Sequence, residues 1–389
     1  MTELLSPADP GPAPGSVASL EVSAEVRRRV ETSLLDTRAP STRRNYTRAW
    51  SVFEKYCDQY GHRALPAHPH VVADYLLALE NTVDVRGNAA YSMSAIEGAA
   101  AAIKFVHKAH APQQQSTPDE TPLWLSPVVA GTLSAIRRRG AASGRRPRQP
   151  EDPLDLVDLR AMVHTARASA TTWRTKLRER RDTAALVLGW AGAMRRSEIV
   201  ALAVGDVRRT RDGWIITVRK SKTDQDGTGQ RKALPTGEHL ETCGPCAYVR
   251  WLHCHNAFDR LGRAGLIRLL AADRPHEHHV CAGVLPEVPA ESDLFRSVTA
   301  ASDLADTAPA GQLIHTLVRR RLAAARPDLD ITRYGAHSLR AGFVTEAFRT
   351  GHEPTTIMKQ TGHKSVESLL NYARDNNIHV QNAATTIGM

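Results

Sequence analysis

The sequence has no uninterrupted apolar run long enough to cross a bilayer. Its first thirty residues, with Glu3, Asp9, Glu21 and Glu25, lack the basic-then-apolar order of an export leader. A cytoplasmic protein with no membrane partner is therefore expected. Cysteine is scarce: five residues, an odd number and mostly gathered in one region, do not make a disulfide framework and suit a reducing compartment. There is no GxxxxGK(S/T) loop of the kind that cradles nucleotide phosphates, and no internal repeat divides the chain.

What is present is length and positive charge. A chain of 389 residues suffices for two or three domains with a buried core. The formal charge is +10; residues 1–40 hold four Arg and six acids, a net of −2, so the remainder carries +12. Such an excess favours a polyanion, either nucleic acid or an acidic membrane surface. Charge alone does not separate these from a basic protein whose charge only aids solubility.

Residues 1–40 are rich in Pro, Ala, Ser and Gly and poor in large apolar side chains, which predicts a flexible tail. From Ser41, apolar residues recur at Tyr46, Trp50, Phe53, Cys57 and Tyr60 with helical spacing, and Gly61 follows as a stop. Arg43, Arg44 and Arg48 lie near the start of that helix. Similar patterns over Val72–Leu79, Ile96–Val106 and Val128–Ile136 predict a four-helix domain at 41–140 whose aromatic stripe is core. The stretch 137–150 holds Arg137, Arg138, Arg139, Arg145, Arg146 and Arg148 and no acid, so it reads as an exposed basic linker that a phosphate backbone would attract, with the linker between the domains bounded at 141–152. A larger domain follows at 153–389, ending in a short tail at 375–389. It is mainly helical with one β-hairpin, WIITVRK (214–220) and RKALP (231–235); residues 263–292 look irregular.

Four segments of this domain each place a cationic or nucleophilic residue in a distinctive setting. In ALVLGWAGAMRRSEIVAL (185–202), Arg195 sits at a break between two helices; an Arg in so apolar a run keeps its charge, so burial demands an anionic partner. Alone, it reads as a structural Arg paired to Glu198 or Asp206. Lys222 follows the first hairpin strand, where a lone lysine is ordinarily solvated charge. HSLR places His337 and Arg340 three apart, on one face of a helix, where both can touch one small anion. In TGHKSVESLLNYAR, His363 precedes Tyr372 by nine residues, and Val366, Leu369 and Leu370 form the apolar stripe of a predicted helix carrying that tyrosine.

Taken together, the order Arg, Lys, His-x-x-Arg, His, Tyr resembles the tyrosine recombinase or phage integrase family, with AMRRSEIVAL, HSLRAGF and QTGHKSVESLLNYAR carrying the likeness. It covers about residues 41–389. The resemblance implies an α-helical core-binding domain followed by a mainly α catalytic domain of α+β class with a small β-sheet. It also implies six catalytic residues: Arg195, Lys222, His337, Arg340, His363 and the nucleophile Tyr372. Arg195 and Arg340 would clamp the phosphate with planar forks, and Tyr372 would attack phosphorus to give a 3′-phosphotyrosyl link. His337 would assist proton removal or hold the phosphate, Lys222 would protonate the departing 5′-oxygen, and His363 would donate to a phosphate oxygen. The ester conserves the energy of the broken diester, so no ATP, cofactor or metal is expected. The partners implied are a double-stranded DNA recombination site and a homotetramer assembled on it.

Weaker signals accompany these. CGPC (243–246), HCH (253–255) and HEHHVC (276–281) hold enough Cys and His for structural zinc, but the second half lacks regular spacing and a Cys after the hairpin also occurs in metal-free relatives, so no metal ligand is assigned. Tyr334, close to His337, reads as a packing residue. A type IB topoisomerase-like relaxer would share the chemistry, but the 17 residues after Tyr372, with Ile378, Val380 and Ile387, suit docking on a neighbouring subunit. A catalytically silent DNA-binding accessory protein is disfavoured by the intact set of six.

Overall fold

The stripe at Trp50, Phe53 and Cys57 folds as helix α1 (Pro40–Tyr60), which buries Phe53 and Cys57 completely and stops where Gly61 turns left-handed at φ 68°. The computed structural model describes residues 40–110, 122–143, 150–219, 229–272 and 278–370, with isolated positions 23 and 25; most of the predicted N-terminal tail and all of the C-terminal tail lie outside them. The chain separates into two compact units between Arg148 and Gln149.

In the first unit, α1 is followed by α2 (Pro69–Asn81), α3 (Met93–His110) and α4 (Pro127–Ala142). Proline opens α2 and α4 at positions where its missing N–H costs nothing. Phe53, Leu76, Ile96, Ile103 and Ile136 meet in one core, so the aromatic stripe is packing, as its periodicity predicts; Tyr60 is the exposed exception. One sequence expectation changes here. Arg137, Arg138 and Arg139 belong to the last turns of α4, not to a linker, because Leu133 and Ile136 continue an apolar face that holds the helix together to Ala142. Arg137 pairs with Glu97 and Arg139 with Glu80, each at 2.6 Å.

The second unit is built around α6 (Trp173–Ala191), opened by a reciprocal Thr172–Thr175 capping box. Its later turns are buried nearly all round, as a helix at the centre of a domain must be. Against it pack α5 (Leu156–Ser169), α8 (Gly244–Ala271), α9 (Gln312–Ala325) and α10 (Ala336–Arg349). The carboxylate of Asp182, wholly buried on α6, binds Arg181 (2.8 Å), Arg320 (2.8 Å) and Arg321 (2.9 Å), tying α6 to α9. Gly342 lets α10 approach the chain so closely that a Cβ there would run into the Leu154 carbonyl oxygen.

Between α7 (Arg196–Val200) and α8 lies an antiparallel sheet of β1 (Val207–Thr210), β2 (Gly213–Val218) and β3 (Gln230–Leu234), in that order. The fold class is thus the predicted one, with one strand more than the hairpin. Strand β1 shows a single buried residue in four, so it carries no alternation to detect. The region 263–271, read as irregular, continues α8 beyond Gly262, whose φ of 61° breaks the helical conformation locally. Helix α11 (Pro354–Thr361) and a helical stretch at 366–370 complete the described residues. Among them no helix is long and apolar enough to cross a membrane.

Candidate active site

The site begins where α6 ends. Ala193 follows at φ 45°, a left-handed conformation costing an alanine on the order of 1–2 kcal/mol, and the turn it makes brings Arg195 to the cap of α7. Glu198, one turn on and buried, accepts from the Arg195 backbone N–H (3.0 Å) and from its Nη1 (2.7 Å). One edge of the guanidinium is thereby fixed while the side chain keeps partial exposure. The pairing with Glu198 is the structural one the sequence allows; Asp206 instead pairs with Arg219 (2.7 Å).

Arg340 reaches the same place from α10. It is only 1% exposed, and donates from Nη1 to the Ala193 carbonyl (2.8 Å) and from Nη2 to Nε2 of His363 (3.1 Å). Burial, with Arg195 nearby, lowers its pKa to about 10, so it stays cationic at neutral pH. His363 follows Gly362, which leaves α11 in the left-handed conformation at φ 73°. Burial and the surrounding cations push its pKa down to about 3, leaving a neutral imidazole. Its Nδ1 lies 2.8 Å from Thr361 Oγ1, and that hydroxyl donates to the Ile357 carbonyl at 2.9 Å. With the hydroxyl proton so engaged, Nδ1 carries the imidazole proton and Nε2 is the acceptor facing Arg340.

Sequence reasoning overlooked Lys232. It is buried on β3 with Nζ donating to the Gln360 carbonyl at 2.7 Å. Burial, countered by Glu198 and reinforced by Arg340 and Arg195, lowers its pKa to about 7. Its signal was available: in β3 the inward positions are Lys232 and Leu234, so the period-2 pattern aims a lysine at the core. Gln360 also lacked a sequence signal. Its side-chain amide donates to Ala191 O (2.8 Å) and Ala233 O (2.7 Å) and accepts from Ala233 N (3.0 Å), clamping α11 to β3 and to the end of α6.

Of the six residues singled out by motif, the structure brings Arg195, Arg340 and His363 together. His337 sits in the first turn of α10, exposed, its backbone N–H bound to Glu151 (2.7 Å). Lys222 and Tyr372 lie outside the described residues. Tyr334 is half-buried against the core, where burial raises its phenol pKa, as a packing residue should be. Among the arginines expected to meet DNA, Arg44, Arg48 and Arg138 are exposed and Arg43 is partly so; Arg145, Arg146 and Arg148 lie outside the described residues.

No family model matches the chain. In sequence it is 28% identical over 365 residues to an integrase/recombinase xerD homolog of Selenomonas ruminantium, covering 93% of this chain and 88% of that protein. In structure it is similar to the Tn1549 transposon integrase solved with a circular intermediate DNA, at TM-score 0.50 and 12% identity, over 89% of this chain and 94% of that one. It is also similar to the XerH site-specific recombinase bound to difH, at TM-score 0.49 and 13% identity, over 83% of this chain and 73% of that one. A relative spanning nearly the whole sequence, a shared fold and the motifs around Arg195, Arg340 and His363 all point the same way: the chain is similar to site-specific recombinases of the tyrosine recombinase or phage integrase kind.

Proposed function

We propose that this protein cleaves and rejoins double-stranded DNA at a recombination site through a 3′-phosphotyrosyl intermediate on Tyr372. One observation carries the reading: Arg340 is a permanent cation, 1% exposed, whose hydrogen bonds go to a neutral carbonyl and a neutral imidazole. Arg195 and Lys232 stand beside it, and Glu198 is the carboxylate that faces them. Burying guanidinium charge is costly unless an anion completes the site, and a phosphodiester has the charge and the planar pairs of oxygens that guanidinium forks match.

In this reading Arg195 and Arg340 take the non-bridging oxygens and stabilise the charge that builds on them. The phenolic oxygen of Tyr372 attacks phosphorus, the bond to the 5′-oxygen breaks, and Lys222 delivers a proton to that oxygen; His337 assists removal of the phenolic proton. Religation is the reverse, with the 5′-hydroxyl attacking the phosphotyrosyl ester. Because the ester conserves the bond energy and side-chain cations supply the charge, the cycle needs neither ATP nor a metal at the phosphate. Arg43, Arg44 and Arg48 on α1, Arg138 on α4, and Arg145, Arg146 and Arg148 provide backbone contacts. The segment after Tyr372 docks on a neighbour in a tetramer assembled on DNA, which deletion of 378–389 tests: half-site binding should survive while paired-site assembly and strand exchange are lost.

The direct test is to incubate the protein with nicked duplexes drawn from the flanks of its own gene and isolate any covalent protein–DNA adduct. Peptide mapping should place the nucleotide on Tyr372. An adduct elsewhere, or none on any DNA that the protein binds specifically, overturns the reading.

A further inference from the structure

We propose that Cys243, Cys246, His279 and Cys281 form a closed, structural zinc site, separate from the phosphate-binding cations. The two halves come from distant parts of the second unit. Cys243 caps α8 and Cys246 lies one turn inside it, with Gly244 and Pro245 between, so both sulfurs leave the same side of the helix start. His279 lies beside, and Cys281 within, the short 3-10 turn Val280–Ala282.

The four donor atoms lie within 4.8 Å of one another, and Cys246 Sγ is 3.4 Å from His279 Nδ1. Tetrahedral zinc with its usual Zn–S and Zn–N lengths sets ligand–ligand separations of about 3.4–3.8 Å, so the set requires only a small contraction to close. All three cysteines are buried and none is in a disulfide. Thiols packed only as small apolar groups disperse among aliphatic side chains; three converging on one imidazole is the arrangement of a ligand set. A disulfide could use two of the sulfurs but would leave the third and the imidazole without purpose. Three thiolates and one imidazole are soft donors that select zinc over magnesium or calcium, and four protein ligands leave no open position for a substrate.

The surroundings hold the second half in place independently of a metal. Arg209 on β1 donates from Nη1 to the carbonyls of Cys281 (3.2 Å), Ala282 (3.2 Å) and Gly283 (3.1 Å). Beside the first half, Gly244 sits against Leu234 of β3 so tightly that a Cβ would lie 2.5 Å from Leu234 Cδ1. A metal at this point staples the start of α8 to the loop behind the sheet, and so backs the strand that carries Lys232. It has a stabilising role, not one at the phosphate.

The full-length protein, purified from zinc-supplied cells without chelator, should carry about one zinc per chain by elemental mass spectrometry. Replacement by cobalt(II) should produce thiolate-to-cobalt charge-transfer absorption with the intense d–d bands of a tetrahedral site. Cys246→Ser and Cys281→Ser should lose the metal, while Cys57→Ser and Cys254→Ser, outside the set, should keep it. Stripping zinc should lower the thermal unfolding midpoint and expose thiols that the metal-loaded protein protects. Should the ligand variants fail to fold, metal content and the cobalt spectrum of the unaltered chain decide alone. Purified protein with no stoichiometric zinc and no tetrahedral cobalt spectrum, a Cys243–Cys246 disulfide, or metal retained by both ligand variants overturns the proposal.

Discussion

Nη2 of Arg340 lies 3.1 Å from Nε2 of His363, and because a guanidinium can only donate, the imidazole nitrogen there must accept. The Thr361 hydroxyl holds the other ring nitrogen as its protonated side. In the DNA-free protein His363 is thus a neutral acceptor that aims the Arg340 fork. Donation by His363 to a phosphate oxygen, which the family resemblance implies, requires the ring to gain a proton or change tautomer once the phosphate arrives. The same cations that hold its pKa near 3 would be offset by that phosphate.

Arg340→Lys tests whether the fork or only the charge matters. An ammonium cannot hold Ala193, His363 and a phosphate oxygen in one plane, so cleavage should fall by roughly 10²-fold or more while duplex affinity changes little. Arg195→Ala should behave alike. Single-turnover cleavage of a nicked duplex beside equilibrium binding separates the two; equal losses in both would make these arginines affinity contacts.

Lys232 predicts a proton-linked step. With its pKa lowered to about 7, it is mostly neutral at pH 8 in the free protein, and a bound phosphate should restore its charge. DNA binding at pH 8 should therefore take up protons, seen by calorimetry in buffers of different ionisation enthalpy, and Lys232→Met should reduce the uptake. The folded value lies below lysine's ordinary 10.5, so from about 7 to 10.5 the unfolded chain holds the extra proton. Stability from this group consequently rises with pH across that window, a rise the Met variant should lack. Equal uptake in both proteins would remove Lys232 from the phosphate's surroundings.

Asp182→Ala should destabilise the second unit by about 3–5 kcal/mol, since it leaves Arg181 buried without its counter-ion and also releases Arg320 and Arg321. Chemical denaturation of the full chain measures this. A loss below about 1 kcal/mol would show these pairs to be as weakly stabilising as surface ones.

The basic stretch should divide in two. Arg137 and Arg139 already have carboxylate partners on the surface, so neutralising them should scarcely alter the salt dependence of DNA binding. Each of Arg145, Arg146 and Arg148 that meets a duplex phosphate should, when neutralised, flatten log affinity against log salt by roughly 0.9. The reverse pattern would place the helix end, not the segment beyond it, on the DNA.

The parts legible in the sequence were those whose information is local. Helical periodicity marked the core of α1 through Phe53 and Cys57, and the three-residue spacing of His337 and Arg340 is a property of any helix. Arg340 meets Ala193 and His363 only because α10, the end of α6 and α11 are packed together, and no sequence spacing encodes those meetings. Lys232 was legible in principle from its inward register on β3, but its place beside Arg195 and Arg340 comes only from the packing of β3 against α11. Strand β1 was hidden by three exposed residues in four, although Asp212 in the turn and Gly213 opening β2 marked the reversal of the chain. The arginines at 137–139 misled because charge density suggests a linker, whereas an exposed helical face tolerates the same residues.

On the proposed chemistry, the cations around Arg340 await a phosphodiester attacked by Tyr372. The most direct test compares the unaltered protein with Tyr372→Phe on one nicked recombination-site duplex, scoring binding and denaturation-resistant adduct in the same samples. Binding should be equal, with adduct formed by the unaltered protein and none by the variant. An adduct that persists in Tyr372→Phe would contradict that chemistry.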